Sequence, residues 1–273
     1  MMSPADVRLD RRIRADARGR ELTSQERATL SRIRGITDSP WDPYDRRRRA
    51  TREVPSGPLA MLPVAQLYAR DVPCLRPPVG TDLLQVLWCP YAHGYEAALR
   101  TRLFWRASGE VTDVIADPPE PALVQSEYFV PNACRLHPEN VTEYPRQEYT
   151  RQPVEGIDST LREALDERYQ YRYTSDLATA PGCKVGGWTP WDRTDAVAVR
   201  CTACDAPMDP LLTIASREWG GGSYSWIPLE DRTEDGGDPE AFEATGLTLG
   251  DADSQQLFVC SADPTHPHTA RLL

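Results

Sequence analysis

Cys201-Thr-Ala-Cys204 constrains the fold of this chain more than any other feature, because its partners lie far downstream. The apolar run Leu257-Phe-Val-Cys260 supplies a third cysteine, and His266 and His268 follow it closely. Two thiolates of a tight turn can share one ion, and a distant cysteine with one more donor completes a tetrahedral zinc set. Folding must then bring two remote turns to one point. The fourth ligand is open between Asp263, His266 and His268. A redox dithiol is the rival reading. Such a motif normally opens a helix, whereas Cys204 is followed by Asp-Ala-Pro-Met-Asp-Pro, which starts none cleanly. A zinc site filled by four protein ligands is structural, so function is sought on surfaces rather than in a catalytic pocket.

The rest of the chain reads as short strands between turns. Its 25 prolines in 273 residues argue against long helices. Leu83-Leu-Gln-Val-Leu-Trp-Cys89 is almost unbroken apolar sequence, the pattern of a central strand buried on both faces. Leu103-Phe-Trp-Arg106 is its expected neighbour. Further strands are expected at 197–200, 210–215, 224–227 and 255–260 from β-branching and bounding turns. Thr23 with Glu26 three residues on forms a capping box for a helix that stops at Gly35. A second helix is expected from about Ser159 to Tyr169, where Leu161, Ala164, Leu165 and Arg168 share helical spacing. Residues 1–20 alternate arginine and aspartate and read as disordered or a loose helix. A faint echo between the halves, each with a cysteine near a strand end, suggests duplication. The expected fold is mainly β (α+β), with two related β-meander lobes, a few short helices and a zinc knuckle. The divisions are an Arg-rich arm over 1–57, a first lobe over 58–157 and a second over 158–273.

Charge is unevenly spread. Residues 1–53 hold 14 arginines against 9 acids, while the whole chain is at −10. The remaining 220 residues therefore carry the difference between −10 and +5, which is −15. An acidic body repels nucleic acid and anionic membrane and attracts basic proteins. The arm, with Arg46-Arg-Arg-Arg49, is open to RNA, to an acidic partner or to the body of its own molecule, unless it is a solvated linker. No apolar stretch reaches membrane-spanning length, and the N-terminus lacks the apolar core of a secretory signal, so a cytoplasmic location is expected. Seven cysteines without dense even spacing fit metal rather than disulfides in a reducing compartment.

All four histidines follow a cysteine closely. Cys89 with His93 and Cys134 with His137 offer two thiolates and two imidazoles for a second site. The plainer reading is a buried strand cysteine and polar-loop histidines. A cysteine nucleophile is disfavoured, since catalytic Cys/His pairs normally meet only through the fold. Trp219-Gly-Gly-Gly222 lacks the Lys-Ser/Thr pair of a phosphate loop. Gly186-Gly187-Trp188 is a turn whose tryptophans, with Trp191, can form a surface patch. Glu230-Asp231 and Asp251/Asp253 read as solvated loop acids.

Several motifs resemble the bacterial YwqG-like family. In the second half these are Lys184-Val-Gly-Gly-Trp188, Cys201-x-x-Cys204, Pro207-Met208, Leu211-Leu-Thr-Ile-Ala215, Gly250-Asp251 and Leu257-Phe-Val-Cys260. In the first they are Leu83-Leu-Gln-Val86 and Leu103-Phe-Trp-Arg106. The resemblance covers roughly residues 58–273 and omits the arm. It implies a mainly β protein of two related halves, similar also to relatives of programmed cell death protein two, which carry paired Cys-x-x-Cys knuckles and chaperone a ribosomal protein. The second knuckle departs from that pattern, reading Cys260-Ser-Ala-Asp263. His266 is the best replacement, because imidazole is a better zinc ligand than a lone carboxylate beside three thiolates.

The expected metal set is thus Cys201, Cys204, Cys260 and His266, with zinc in a structural role. The expected function is a non-enzymatic protein-binding module, chaperone-like or antitoxin-like, that captures an extended segment of a basic client by strand addition. The alternative is a metal- or thiol-dependent enzyme with its site between the lobes. A nucleic-acid-binding zinc protein ranks third, because the acidic body opposes it.

Overall fold

A computed structural model of the chain describes residues 1–34, 57–93, 98–144, 173–191, 195–220, 224–251 and 253–273. The expected helix at 159–169 lies outside them, as does most of the linker that holds Arg46 to Arg49. The described architecture is mostly β, with three antiparallel sheets and few short helices.

The first sheet is a meander of β1 (Leu62–Tyr68), β2 (Leu83–Ala92) and β3 (Leu99–Arg106). β2 is central, but it is not buried evenly on both faces as its apolar run suggests: Leu84, Val86 and Trp88 on one face are fully buried, while Gln85 and Leu87 on the other are half-buried, where Gln85 bonds Gln66 and Arg106. The edge strands differ in kind. β1 carries Pro63 beside a register shift, a place where the missing N–H costs no ladder bond. β3 alternates strictly, with Arg100, Arg102, Phe104 and Arg106 outward.

The second sheet runs β4 (Lys184–Val185), β5 (Met208–Ala215), β8 (Ser254–Cys260) and β9 (Thr269–Leu272). A two-stranded ribbon of β6 (Arg232–Thr233) and β7 (Gly236–Gly237) lies in the long connection between β5 and β8. A hydrophobic cluster draws on both large sheets, joining Leu62, Leu84 and Trp88 to Leu212, Ile214 and Leu257.

Two expected strands are absent. Val197–Arg200 supplies only a single bridge, Arg200 to Pro207. Tyr224–Trp226 is a 3₁₀ turn, because its side chains bind the turn at Tyr173–Leu177 instead of alternating across a sheet. There Trp226 Nε1 donates to the Ser175 carbonyl at 2.8 Å, and Ser225 Oγ to Asp176 Oδ1 at 3.0 Å.

The N-terminal residues form a regular helix and pack onto the body, contrary to the disordered or loose reading. α1 (Pro4–Asp16) starts with Ser3, whose hydroxyl accepts from the Asp6 N–H at 3.1 Å, and with proline in its first turn. Val7 is buried in the core. Arg11 donates to the carbonyls of Val130, Glu127 and Gly246 and to Asn132 Oδ1, at 2.6–2.9 Å. Its guanidinium thus satisfies loop carbonyls from both halves of the chain. α2 (Ser24–Arg34) has the expected capping box in both directions, Thr23 N–H to Glu26 at 2.7 Å and Glu26 N–H to Thr23 at 3.2 Å. Asp10 is buried between Arg14 and Arg34, and so holds the two helices together. These arginines of the expected arm therefore engage the molecule itself.

Candidate metal centre

Two turns meet beyond one end of the second sheet. The first lies between Arg200 and Pro207. Cys201 N–H donates to the Ala206 carbonyl at 2.9 Å and Met208 N–H to the Val199 carbonyl at 3.0 Å, closing a narrow hairpin. Within it the Asp205 N–H returns to the Cys201 carbonyl at 2.9 Å. Asp205 has a φ of 58°, and aspartate tolerates this left-handed region better than most residues. Ala203 N–H points at Cys201 Sγ, 3.4 Å away.

The second turn follows β8 at Cys260. Ser261 ties it to the first through two bonds to the Pro207 carbonyl, from its N–H at 3.1 Å and its hydroxyl at 2.8 Å. Asp263 then organises the return. Its Oδ1 accepts from the Thr265 N–H at 2.8 Å and hydroxyl at 2.7 Å, and its carbonyl accepts from the His266 N–H at 3.1 Å. This is an aspartate turn of the kind that competes with regular structure.

The result is a convergence of Cys201, Cys204, Cys260 and His266, whose ligand atoms all lie within 4.8 Å of one another. Cys204 Sγ is 3.5 Å from Cys260 Sγ, and Cys201 Sγ is 3.7 Å from His266 Nδ1. A tetrahedral zinc with bonds of about 2.3 Å to sulfur sets its ligands roughly 3.7 Å apart, so the donor spacing suits that ion. Cys201 and Cys260 are buried and Cys204 is exposed. Behind the sulfurs, Val199, Met208 and Phe258 pack with Cys201 and Cys260 as a small apolar cluster.

The protonation balance favours a charged group. Burial opposes the Cys260 thiolate, but N–H groups of Asp263 and Ala262, with His266 and Cys204, outweigh it and pull the thiol down to about 6. The sulfurs of Cys260 and Cys201 raise His266. At Cys204 the Ala206 N–H favours the thiolate, yet the adjacent Cys260 sulfur, lost hydration and Cys201 together raise it. The Cys204 and Cys260 sulfurs, 3.5 Å apart, compete for ionisation, and a dication removes that conflict.

The three candidates for the fourth position separate cleanly. His266 joins the sulfurs through Nδ1. The Asp263 carboxylate is occupied by Thr265, and its other oxygen lies 3.7 Å from His266 Nε2. It stands where a carboxylate orients a metal-binding imidazole. His268 points away and shares a 2.7 Å hydrogen bond with Thr101 of β3, and burial pushes its pKa down.

The other cysteine–histidine set does not assemble. Cys89 Sγ and His93 Nε2 are 3.2 Å apart, with burial raising the thiol and lowering the imidazole, so both stay neutral. At Cys134 lost hydration and, less strongly, the Glu218 carboxylate raise the thiol, and Glu218 Oε2 accepts the Cys183 N–H at 3.2 Å. Among the described residues, Cys201, Cys204, Cys260 and His266 are the one group of three or more such donors at mutual ligand distance.

Sequence reasoning missed the supports of the site, Asp205, Ser261 and the orienting role of Asp263. Two signals were present: an aspartate directly after the second cysteine of the turn, and the Asp-Pro-Thr that favours an aspartate turn.

No protein-family model, no curated protein and no solved structure matches this chain.

Proposed function

We propose that the chain is a non-enzymatic protein-binding module in which Cys201, Cys204, Cys260 and His266 hold a structural zinc. The observation that carries this reading is the convergence of four protein donors from two separate turns. Four protein ligands fill a tetrahedral ion and leave no position for substrate or activated water, which is the pattern of structural rather than catalytic zinc. The ion would tie the loop before β5 to the loop after β8 and fix the apolar cluster behind them.

The client is a basic protein, captured chaperone-like or antitoxin-like through an extended segment. Support comes from charge, since residues beyond the N-terminal arm carry −15. Against thiol catalysis stands the Cys89–His93 pair, where burial raises the thiol that would have to attack. Membership of the YwqG-like family belongs to the same proposal and rests on the quoted motifs. Among the described residues no helix is long and apolar enough to cross a membrane.

The test is binding of the purified, metal-analysed chain to a panel of basic and acidic proteins at two salt concentrations. Salt-sensitive binding confined to basic members supports the module. Equal binding to both, or to neither, contradicts it.

A further inference from the structure

A groove of about 530 Å³ runs beside the metal centre. Its floor is Met208, Pro210 and Phe258, and Val199 lines it next to Cys201. One wall carries Trp188 and Trp191, the latter stacked on Phe258 with ring centroids 6.3 Å apart. Trp188 is 47% exposed, a large apolar surface held out in water. Its position is built deliberately. The Glu143 carboxylate accepts from the Trp188 N–H, from the Ala180 N–H and from Lys184, which itself donates to the Trp188 carbonyl at 2.7 Å. Gly187 has φ of +71°, and a Cβ there would collide with that carboxylate.

Ala196, Val197, Ala198 and Val199 also line the groove. Ala196, Val197 and Ala198 are exposed and, among the described residues, form no backbone hydrogen bond. The hairpin that begins the metal centre pairs Val199 with Met208 and goes no further. An extended stretch with open N–H and C=O groups is a template for another strand. The one charged side chain among the described residues lining the groove is Arg200, which is held by Asp205 at 3.8 Å, while Asp195 lies exposed beside Ala196 and residues 173–273 as a whole hold 16 acids and 6 bases.

We infer that this groove seats an extended segment of a basic partner protein, paired by its backbone to Ala196–Ala198 and inserting apolar side chains between Trp188 and Met208. The inference rests on the capture reading above and gives it a location. Alternate residues of the guest face the tryptophans, and the intervening basic residues face outward toward Asp195, Asp205 and the net acidic half of the chain. The metal holds one wall in place, since Val199 and Met208 pack on its cysteines.

The test pans a library of random decapeptides against the intact, zinc-loaded chain and synthesises the enriched consensus. The inference predicts a consensus alternating apolar with Arg or Lys. It also predicts slowed amide hydrogen exchange at Ala196–Val199 on peptide addition. Trp188→Ala and Val197→Lys are each expected to weaken binding at least tenfold with metal content and melting temperature retained. If basic peptides bind but protect the β1 or β3 edge instead, the groove assignment is overturned and the capture reading stands. If enrichment favours acidic or uncharged peptides, both fail. Protection at Ala196–Val199 that arises from protein concentration alone, without peptide, shows a second copy in the groove and overturns the inference.

Discussion

Gln255 and Leu99, 156 residues apart, exchange two hydrogen bonds: Leu99 N–H to Gln255 Oε1 at 2.7 Å, and Gln255 Nε2 to the Leu99 carbonyl at 3.0 Å. The side-chain amide of β8 acts toward β3 as another strand would. Both residues are fully buried, so the pairing joins the two large sheets where water cannot substitute.

Gln255→Leu keeps the volume and strands the donor and acceptor of Leu99. Each buried unsatisfied group costs about 1–3 kcal/mol, so a loss of about 3 kcal/mol in urea unfolding is expected. Exchange of the Leu99 amide should accelerate strongly. A loss under about 0.5 kcal/mol, the range of surface substitutions, contradicts a sheet-joining role.

Asp10 gives a pH signature. Burial opposes its charge, but Arg34 and Arg14 outweigh it and hold the carboxyl below its ordinary value. A depressed carboxyl stabilises the fold fully above its unfolded value of about 3.9, and that contribution is lost as pH falls through the lower folded value. Asp10→Asn, which breaks a buried ion pair, is expected to cost about 3 kcal/mol at pH 7. The gap to wild type should stay level down to about pH 5 and close in stronger acid. A gap that widens in acid contradicts the pairing.

The two neighbouring histidines should behave oppositely. His266→Ala removes the proposed fourth ligand and is expected to abolish tight zinc binding in a chelator competition. His268→Ala removes only a hydrogen bond to Thr101 and should leave affinity unchanged. Asp263→Ala, which frees the imidazole, is expected to weaken zinc by about 10–100-fold. Equal effects at 266 and 268 contradict the assignment.

Gly187→Ala combines a left-handed backbone with a Cβ that would lie 2.1 Å from Glu143 Oε1. A cost of at least about 1 kcal/mol is expected by thermal unfolding. Trp188 fluorescence should shift as its turn loses the Glu143 anchor. An unchanged melting temperature contradicts the close packing of that turn.

What the sequence shows follows from how local the cause is. β2 is legible as a strand because a short apolar run bounded by turns fits a buried strand, although only its Leu84, Val86 and Trp88 face is fully buried and the run overstates the burial of Gln85 and Leu87. The Thr23–Glu26 cap is legible because donor and acceptor sit three residues apart. Ser3-Pro4 carried the same kind of signal for α1, obscured by alternating arginine and aspartate whose partners, such as Glu120 for Arg8, lie far away. The serine–aromatic alternation at 224–226 imitates a strand, and only the distant turn at Tyr173–Leu177 reveals it as a 3₁₀ turn. The donors Cys201, Cys204 and Cys260 stand out by type. The choice of His266 over His268 depends in part on Thr101, a residue of the other sheet, which spacing cannot supply.

The most direct test of the account is elemental analysis of chain purified without chelators or affinity metals, beside a Cys260→Ser variant. The account predicts one zinc per chain in the wild type and its loss in the variant. A wild-type chain that folds cooperatively and carries no metal, even after zinc is offered and excess removed, contradicts it.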